Sequence, residues 1–270
     1  MAVLTGQFCH DQFGNFRIDR SYFCLLYTSY GTEIAAGLAA AGAAVYLAGP
    51  DQEALDQAAA DMQAAGVSAA GTFIYSQETE AAAAALAASV KAALPSLDIF
   101  VDNSSGLQLE GWSHSFEEIY NNLRITQMGM MLTVKHLGEI MAEQGHGSMI
   151  FVSDYAALVG CDPQNYKDCP EYAPKDFSVD YCFVKGSYVN YARQAAGYLG
   201  AHNCRCNCIA YGPLAGTKPE AFEKAFIRHS HIKRLANGDD VAQAAVFFAS
   251  DASEFITGTT LAVDGGYTAK

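Results

Sequence analysis

Basic residues are scarce in this chain of 270: 16 Lys and Arg stand against 29 Asp and Glu, a net charge of -13. No dense Lys/Arg cluster occurs, and a duplex-binding face needs one to replace counterions at phosphate. A nucleic-acid partner is therefore not expected. Charge of both signs is low, 17% against 51% hydrophobic residues. A disordered chain needs the opposite balance, and this one has the material for a large buried core. Long hydrophobic runs are missing: none approaches the roughly 18 residues that cross a bilayer. No basic start precedes an apolar stretch, so no secretory signal is read, and a cytoplasmic protein without membrane contact is expected. The eight cysteines include no C-x-x-C pair, the usual knuckle of a zinc site, so no metal is expected. Cys204, Cys206 and Cys208 alternate, which on a strand points all three to one face. Buried free thiols in a reducing compartment is the reading.

What is present is an alternation. Strand-like runs occur at residues 22–27, 44–48, 72–75, 97–103, 148–153, 205–210 and 259–263. Helix-like stretches fall between them at 33–41, 54–65, 78–93, 115–141, 181–199 and 239–249. This order predicts an α/β fold: a single-domain, Rossmann-like, doubly wound parallel sheet of about seven strands with helices on both faces. One domain absorbs residues 1–270, with 1–20 as an irregular, aromatic N-terminal extension. Two stretches break the pattern. Residues 154–180 form a long loop rich in Pro, Asp and Tyr, and 213–234 a charged, aromatic excursion. Loops of that length inside a compact domain are usually functional, and both are expected to line a substrate pocket. Their aromatic residues, interleaved with Asp and Lys, suit a ring-bearing, partly polar small molecule.

Ser153 ends the fifth strand, and ligand sites in open α/β sheets lie beyond the carboxyl ends of strands. Tyr181 and Lys185 stand four residues apart on the next helix and share a face. A free tyrosine ionises near pH ~10, and a nearby ammonium lowers that value. Such a tyrosine exchanges a proton with a substrate oxygen, to which Ser153 donates a hydrogen bond. With a hydride carrier opposite, this apparatus interconverts an alcohol and a ketone.

Over nearly its whole length the chain resembles the short-chain dehydrogenase/reductase family. The resemblance is carried by LDIFVDNSSG (97–106), GSMIFVS (147–153), YCFVK (181–185), RCNCIAYGPLAGT (205–217) and FITGTTLAVDGG (255–266). Within the family, the RCN and GPLAGT stretches are similar to bacterial hydroxysteroid dehydrogenases. The long segment after Ser153 is similar to members acting on polar or sugar-like substrates. The resemblance implies NAD or NADP as cofactor, Tyr181 as general acid/base, Lys185 as the ribose-binding ammonium that tunes it, and Ser153 as the group that polarises the carbonyl. It also implies that Leu214 and Thr217 contact the nicotinamide carboxamide. Members usually form tetramers or dimers through long central helices. Here Met128, Met130, Met131, Tyr188 and Tyr191 are the candidates for a homotetramer or homodimer contact.

Departures gather at the cofactor end. The family's glycine-rich first turn, which lets backbone approach a pyrophosphate, is here LLYTSYG (25–31), with only Gly31 kept. The favoured register starts the first strand within FRIDRSYFCLL; the alternative uses residues 2–6. Ser29, Tyr30 and Ser104 offer hydroxyl groups in place of glycine backbone. Asp51 stands near the usual ribose-binding position, and Asn103 lies in the altered NNAG stretch. Thr126 aligns with the family's water-anchoring asparagine, with Asn122 one turn earlier as its substitute. Two readings stay open. In one, a nicotinamide dinucleotide binds in an unusual way. In the other, Tyr27, Tyr30 and Tyr75 fill a remodelled cleft, and the chain is a non-redox lyase, isomerase or dehalogenase, or a non-catalytic binding protein. The intact Lys185 favours the first.

Overall fold

Short apolar runs without polar alternation make strands that are buried on both faces. In Ile99–Asp102 every residue is buried, and in Gly147–Asp154 all but the first. The computed structural model describes residues 21–25, 29–104 and 109–269. Its elements run β1 (Ser21–Leu25), α1 (Ser29–Ala40), β2 (Ala44–Gly49), α2 (Gln52–Ala64), β3 (Gly71–Ile74), α3 (Glu80–Ala93), β4 (Ile99–Asp102) and α4 (Phe116–Leu123). A π-helical turn (Arg124–Met128) leads into α5 (Gly129–Gln144), β5 (Gly147–Asp154), α6 (Ala173–Asp176) and α7 (Tyr181–Gly200). The chain continues through β6 (Cys204–Tyr211), α8 (Glu220–His229), α9 (Gly238–Ala249) and β7 (Thr260–Val263).

All strand pairs are parallel, in the order β3-β2-β1-β4-β5-β6-β7. The chain winds outward from β1 in one direction and from β4 in the other, so the switch point lies between these two strands, where such sheets bind ligands. One face of the sheet packs α3, α5 and α7 around Phe100, Met149, Phe151 and Leu199. The other packs α1, α2 and α9 around Val45, Ile99, Ile150 and Phe248. Cys204, Cys206 and Cys208 all sit in the first of these cores, which is the single-face placement that their alternation predicts.

Capping explains several boundaries. Asp51 caps α2 through the Ala54 N–H, and Thr79 caps α3 through Ala82. Capping boxes start α4 at Ser115/Glu118 and α9 at Asn237/Asp240, each satisfying two donors that a helix start leaves bare.

The first strand is the favoured register, and its central place between β2 and β4 displaces the alternative at residues 2–6. Those residues, the extension 1–20, Tyr27 and the side chain of Ser29 lie outside what the structure describes. The expected long helical stretch over 115–141 is unbroken helix, with the π turn between α4 and α5. One expectation is corrected: residues 154–180 are not an open loop, since Tyr155–Ala157, Pro163–Tyr166, Pro170–Tyr172 and α6 are successive short helical pieces. Pro163 and Pro170 open two of them and Pro174 lies in the first turn of α6, where the missing N–H costs nothing. Met130 and Tyr188, expected at a subunit contact, are core residues at 1% exposure.

Helices α1 and α9 meet closely at Gly37, where an added Cβ would stand 2.5 Å from the Ala242 Cβ. Gly37→Ala is expected to destabilise the protein by about 1–3 kcal/mol through overpacking, despite alanine's better helix propensity. Urea unfolding should show a lower midpoint with an unchanged slope.

Candidate active site

Alternation along β5 puts Ser153 on the same side as Met149 and Phe151, under α7. There its hydroxyl donates to the Lys185 carbonyl at 2.9 Å and the residue is 1% exposed. Asp154, the last residue of β5, lies where the chain turns away from the sheet. One of its carboxylate oxygens accepts from the Ala156 N–H at 2.9 Å, and the other accepts from the Tyr181 hydroxyl. The Ser153 hydroxyl thus bonds to helix backbone, and the group in contact with the Tyr181 hydroxyl is the carboxylate one residue on.

The start of α7 is fixed from several sides. The Ser178 hydroxyl donates to Asp180 at 2.6 Å and accepts from the Tyr181 N–H at 3.1 Å. The Asn122 amide donates to the other Asp180 oxygen, tying α4 to the residue before Tyr181. Asn122 thus braces α7 through its amide nitrogen, while its Oδ1 is buried without a partner. Thr126, inside the π turn, donates to the Asn122 carbonyl at 2.8 Å. A π turn is a common irregularity at functional sites.

The electrostatics differ from the sequence expectation. Burial, then the carboxylates of Asp154 and Asp176, push the Tyr181 phenol well above its usual value of 10.0; it is not lowered. Burial also raises the Asp154 carboxyl, against the opposing pull of the Lys185 ammonium and the Tyr181 hydrogen bond. Acid and phenol therefore form a pair that holds its proton tightly.

The cofactor-side candidates fall into two groups. Three hydroxyls are engaged within the protein. Tyr30 stacks on Tyr211 at 5.1 Å and donates to the Gly212 carbonyl at 2.9 Å. The Ser104 hydroxyl donates to Asp102 at 2.5 Å, and that of Thr217 to the Leu214 carbonyl at 2.7 Å. Tyr75, expected as cleft filler, meets Thr133 of α5 at 2.5 Å. The remaining candidates ring the carboxyl ends of the strands. Ser29 and Gly31 lie in the first turn of α1, which carries no acidic side chain. Exposed Asp51 follows β2, buried Asn103 follows β4, and half-buried Lys185 lies one turn beyond Tyr181. Leu214 follows β6 and bridges to Ala236.

The aromatic residues of 154–180 and 213–234 mostly pack against one another. Tyr155, Tyr166, Phe222, Phe226 and Tyr267 form a third core, with Phe226 and Tyr267 stacked at 4.1 Å. Buried Asp176 accepts from the Tyr166 hydroxyl at 2.6 Å and pairs with Lys218 at 3.5 Å. Lys218 also donates to the Tyr172 hydroxyl at 2.9 Å, so it links the two segments.

The comparisons with known proteins agree with this architecture. A family model described as Enoyl-(Acyl carrier protein) reductase matches residues 27–268. The chain belongs to the short-chain dehydrogenase/reductase family. With that membership it is an enzyme of the oxidoreductase class. It is 31% identical over 196 residues to a cis-4-hydroxycyclohexanecarboxylate dehydrogenase of Sinomonas cyclohexanicum, covering 70% of this chain and 73% of that protein. It is 31% identical over 189 residues to an L-rhamnose 1-dehydrogenase (NAD(P)(+)) of Azotobacter vinelandii, covering 67% and 68%. A crystal structure of a gluconate 5-dehydrogenase from Burkholderia cenocepacia, in complex with NADP and tartrate, superposes with a TM-score of 0.80 at 23% identity, covering 95% of this chain and 98% of that one.

Sequence reasoning missed Asp154, Asp176, Ser178 and Asp180. The Asp154 signal was legible: the residue after Ser153 is a carboxylate, and a one-residue step along a strand changes which group faces outward.

Asp102 offers a separate test. One of its oxygens accepts from the Ser104 N–H and hydroxyl, the other is buried without a partner, and burial raises the carboxyl from 3.8 to about 6. A carboxyl raised on folding binds its proton more tightly in the native state, so its contribution to stability falls as pH rises between 3.8 and about 6. Asp102→Asn keeps the acceptor and removes the charge. It is expected to abolish that slope and to stabilise the protein at neutral pH by about 1–3 kcal/mol, read by urea unfolding across the pH range.

Proposed function

We propose that this protein is an NAD(P)-dependent dehydrogenase that interconverts a secondary alcohol and a ketone on a polar, hydroxylated ring substrate. Tyr181 carries the proton, Lys185 holds the nicotinamide ribose, and Asp154 takes the place expected of Ser153. The observation that carries the reading is the contact of the Tyr181 hydroxyl with the Asp154 carboxylate at the carboxyl end of β5, with Lys185 on the same helix. The relatives named for a hydroxycyclohexanecarboxylate and for rhamnose support the substrate class. The rhamnose enzyme's NAD(P)(+) supports the cofactor.

The donor set fits a dinucleotide. The first-turn N–H groups of α1, without a carboxylate beside them, suit a pyrophosphate. Asp51 keeps one carboxylate oxygen outside its cap and stands near the adenosine ribose position. Asn103, Leu214 and Thr217 lie toward the nicotinamide end. The bound nicotinamide would supply the acceptor for the hydride.

An ionised carboxylate only accepts hydrogen bonds. Asp154 therefore suits a reacting group that brings its own hydrogen, an alcohol, rather than a carbonyl oxygen. In oxidation the alcohol O–H proton passes to the Tyr181–Asp154 pair as the carbinol C–H bond breaks and C=O forms. A ketone finds its donor in the Tyr181 hydroxyl, which burial and the neighbouring carboxylates keep protonated. The engaged hydroxyls of Tyr30, Ser104 and Thr217 support a second reading, non-redox chemistry on the same scaffold.

Three outcomes check this function. NADH or NADPH should raise the thermal midpoint, as any ligand selective for the folded state does; no stabilisation by either, with turnover silent at the nicotinamide absorbance band, would hand the case to the non-redox reading. Tyr181→Phe should lower kcat by about 10²–10⁴ and leave nucleotide affinity intact. The rate of alcohol oxidation should fall as pH drops and protonates Asp154, whose raised carboxyl is the acceptor paired with Tyr181, and that pH dependence should be lost in Asp154→Ser.

Assembly through α5 and α7 belongs to the same reading. Met131 and Tyr198 are 42% and 55% exposed on these helices. Sedimentation should give a dimer or tetramer; a monomer refutes it.

A further inference from the structure

Of the six cysteines whose side chains are described, four are buried and two, Cys161 and Cys182, are half-buried. Those two face each other, Sγ to Sγ, at 3.7 Å. Cys161 lies in the segment after β5, and Cys182 is the second residue of α7, next to Tyr181. We propose that these two thiols are an oxidation site, converted by a hydroperoxide into a disulfide that clamps the segment between β5 and α7 onto the first turn of α7.

The geometry is close to what the bond needs. A disulfide is about 2.05 Å long, so the sulfurs must approach by under two ångströms from van der Waals contact. The neighbouring Gly160 has no atom within 4 Å of where a Cβ would stand, so the chain beside Cys161 has room to shift. The two thiols also differ in the way a reactive and a resolving cysteine differ. Cys182 sits at the positive end of a helix of 20 residues, which favours a thiolate. The contact with Cys161 draws the Cys182 thiol down, against burial and the carboxylates of Asp154 and Asp176. Cys161 moves the other way, through its contact with Cys182 and burial. It also reaches the Asp176 carbonyl at 3.4 Å, which holds it in place.

The chemistry balances with peroxide as oxidant. The Cys182 thiolate attacks one peroxide oxygen, the O–O bond breaks, and the departing hydroxide takes a proton to leave as water. Cys161 then attacks the sulfenic sulfur. The S–S bond forms, the S–O bond breaks, and the second hydroxide leaves with the Cys161 proton. Two thiols lose two electrons in total, and one peroxide becomes two waters. The bond encloses residues 161–182, which carry Tyr166, Tyr172 and Asp176. Oxidation thereby fixes the substrate segment against the helix that bears Tyr181.

The test uses the full chain and hydrogen peroxide. After oxidation, alkylation and trypsin digestion without reductant, mass spectrometry should find residues 136–167 joined to 176–185, because cleavage after exposed Lys167 and Lys175 separates the two cysteines. Dithiothreitol should release them. Intact oxidised protein should melt roughly 2–8 °C above the reduced form. Cys161→Ser should strand Cys182 as a sulfenic acid that dimedone labels, and Cys182→Ser should leave Cys161 unoxidised. Unlinked peptides with both thiols still alkylated would overturn the proposal, as would a link from either cysteine to Cys169. A linked pair with an unchanged melting midpoint would overturn the clamp.

Discussion

A carboxylate at the end of a buried strand has to find donors, and Asp154 finds two: the Ala156 N–H and the Tyr181 hydroxyl. The first turns the chain out of β5 into a short helical turn; the second draws the first turn of α7 to the strand end. Much of the surrounding network keeps those partners in place. Asn122, Ser178 and Asp180 hold the start of α7, and Ser153 fastens the next turn through the Lys185 carbonyl. Removing a partner from such a buried acceptor exposes the desolvation cost of the charge, so the site resists loosening from either side.

The balance of forces at Tyr181 also separates this site from the one the sequence suggests. An ammonium one helical turn away favours ionisation of a phenol; burial and two carboxylates oppose it, and here the opposition dominates. Burial sets the sign first, because it removes the water that would stabilise a phenolate, and the carboxylates of Asp154 and Asp176 add to it.

The fold was legible because its signals are local and repeated. Apolar runs such as those at 97–103 and 148–153, each followed by a helical period, leave few topologies open, and the described strands fall where these runs occur. The site was legible in part. The shared helix face of Tyr181 and Lys185 follows from their spacing, but that Asp154 rather than Ser153 touches the Tyr181 hydroxyl turns on a single strand position, which periodicity does not resolve. The roles of Tyr30, Ser104 and Thr217 were hidden for another reason. Each offers a hydroxyl in the right neighbourhood, and only three-dimensional contacts reveal that Gly212, Asp102 and Leu214 already take them. The segment 154–180 looked like a loop because its helical pieces are too short to establish a period.

The third core, built from Tyr155, Tyr166, Phe222, Phe226 and Tyr267, stands apart from the two cores that sandwich the sheet. It joins the segments after β5 and after β6 around one apolar interior, and Lys218 fastens the two halves through Asp176 and Tyr172. Its packing is therefore set by a small aromatic module with few ties to the sheet cores, and side chains in it can be altered without disturbing the strands beneath.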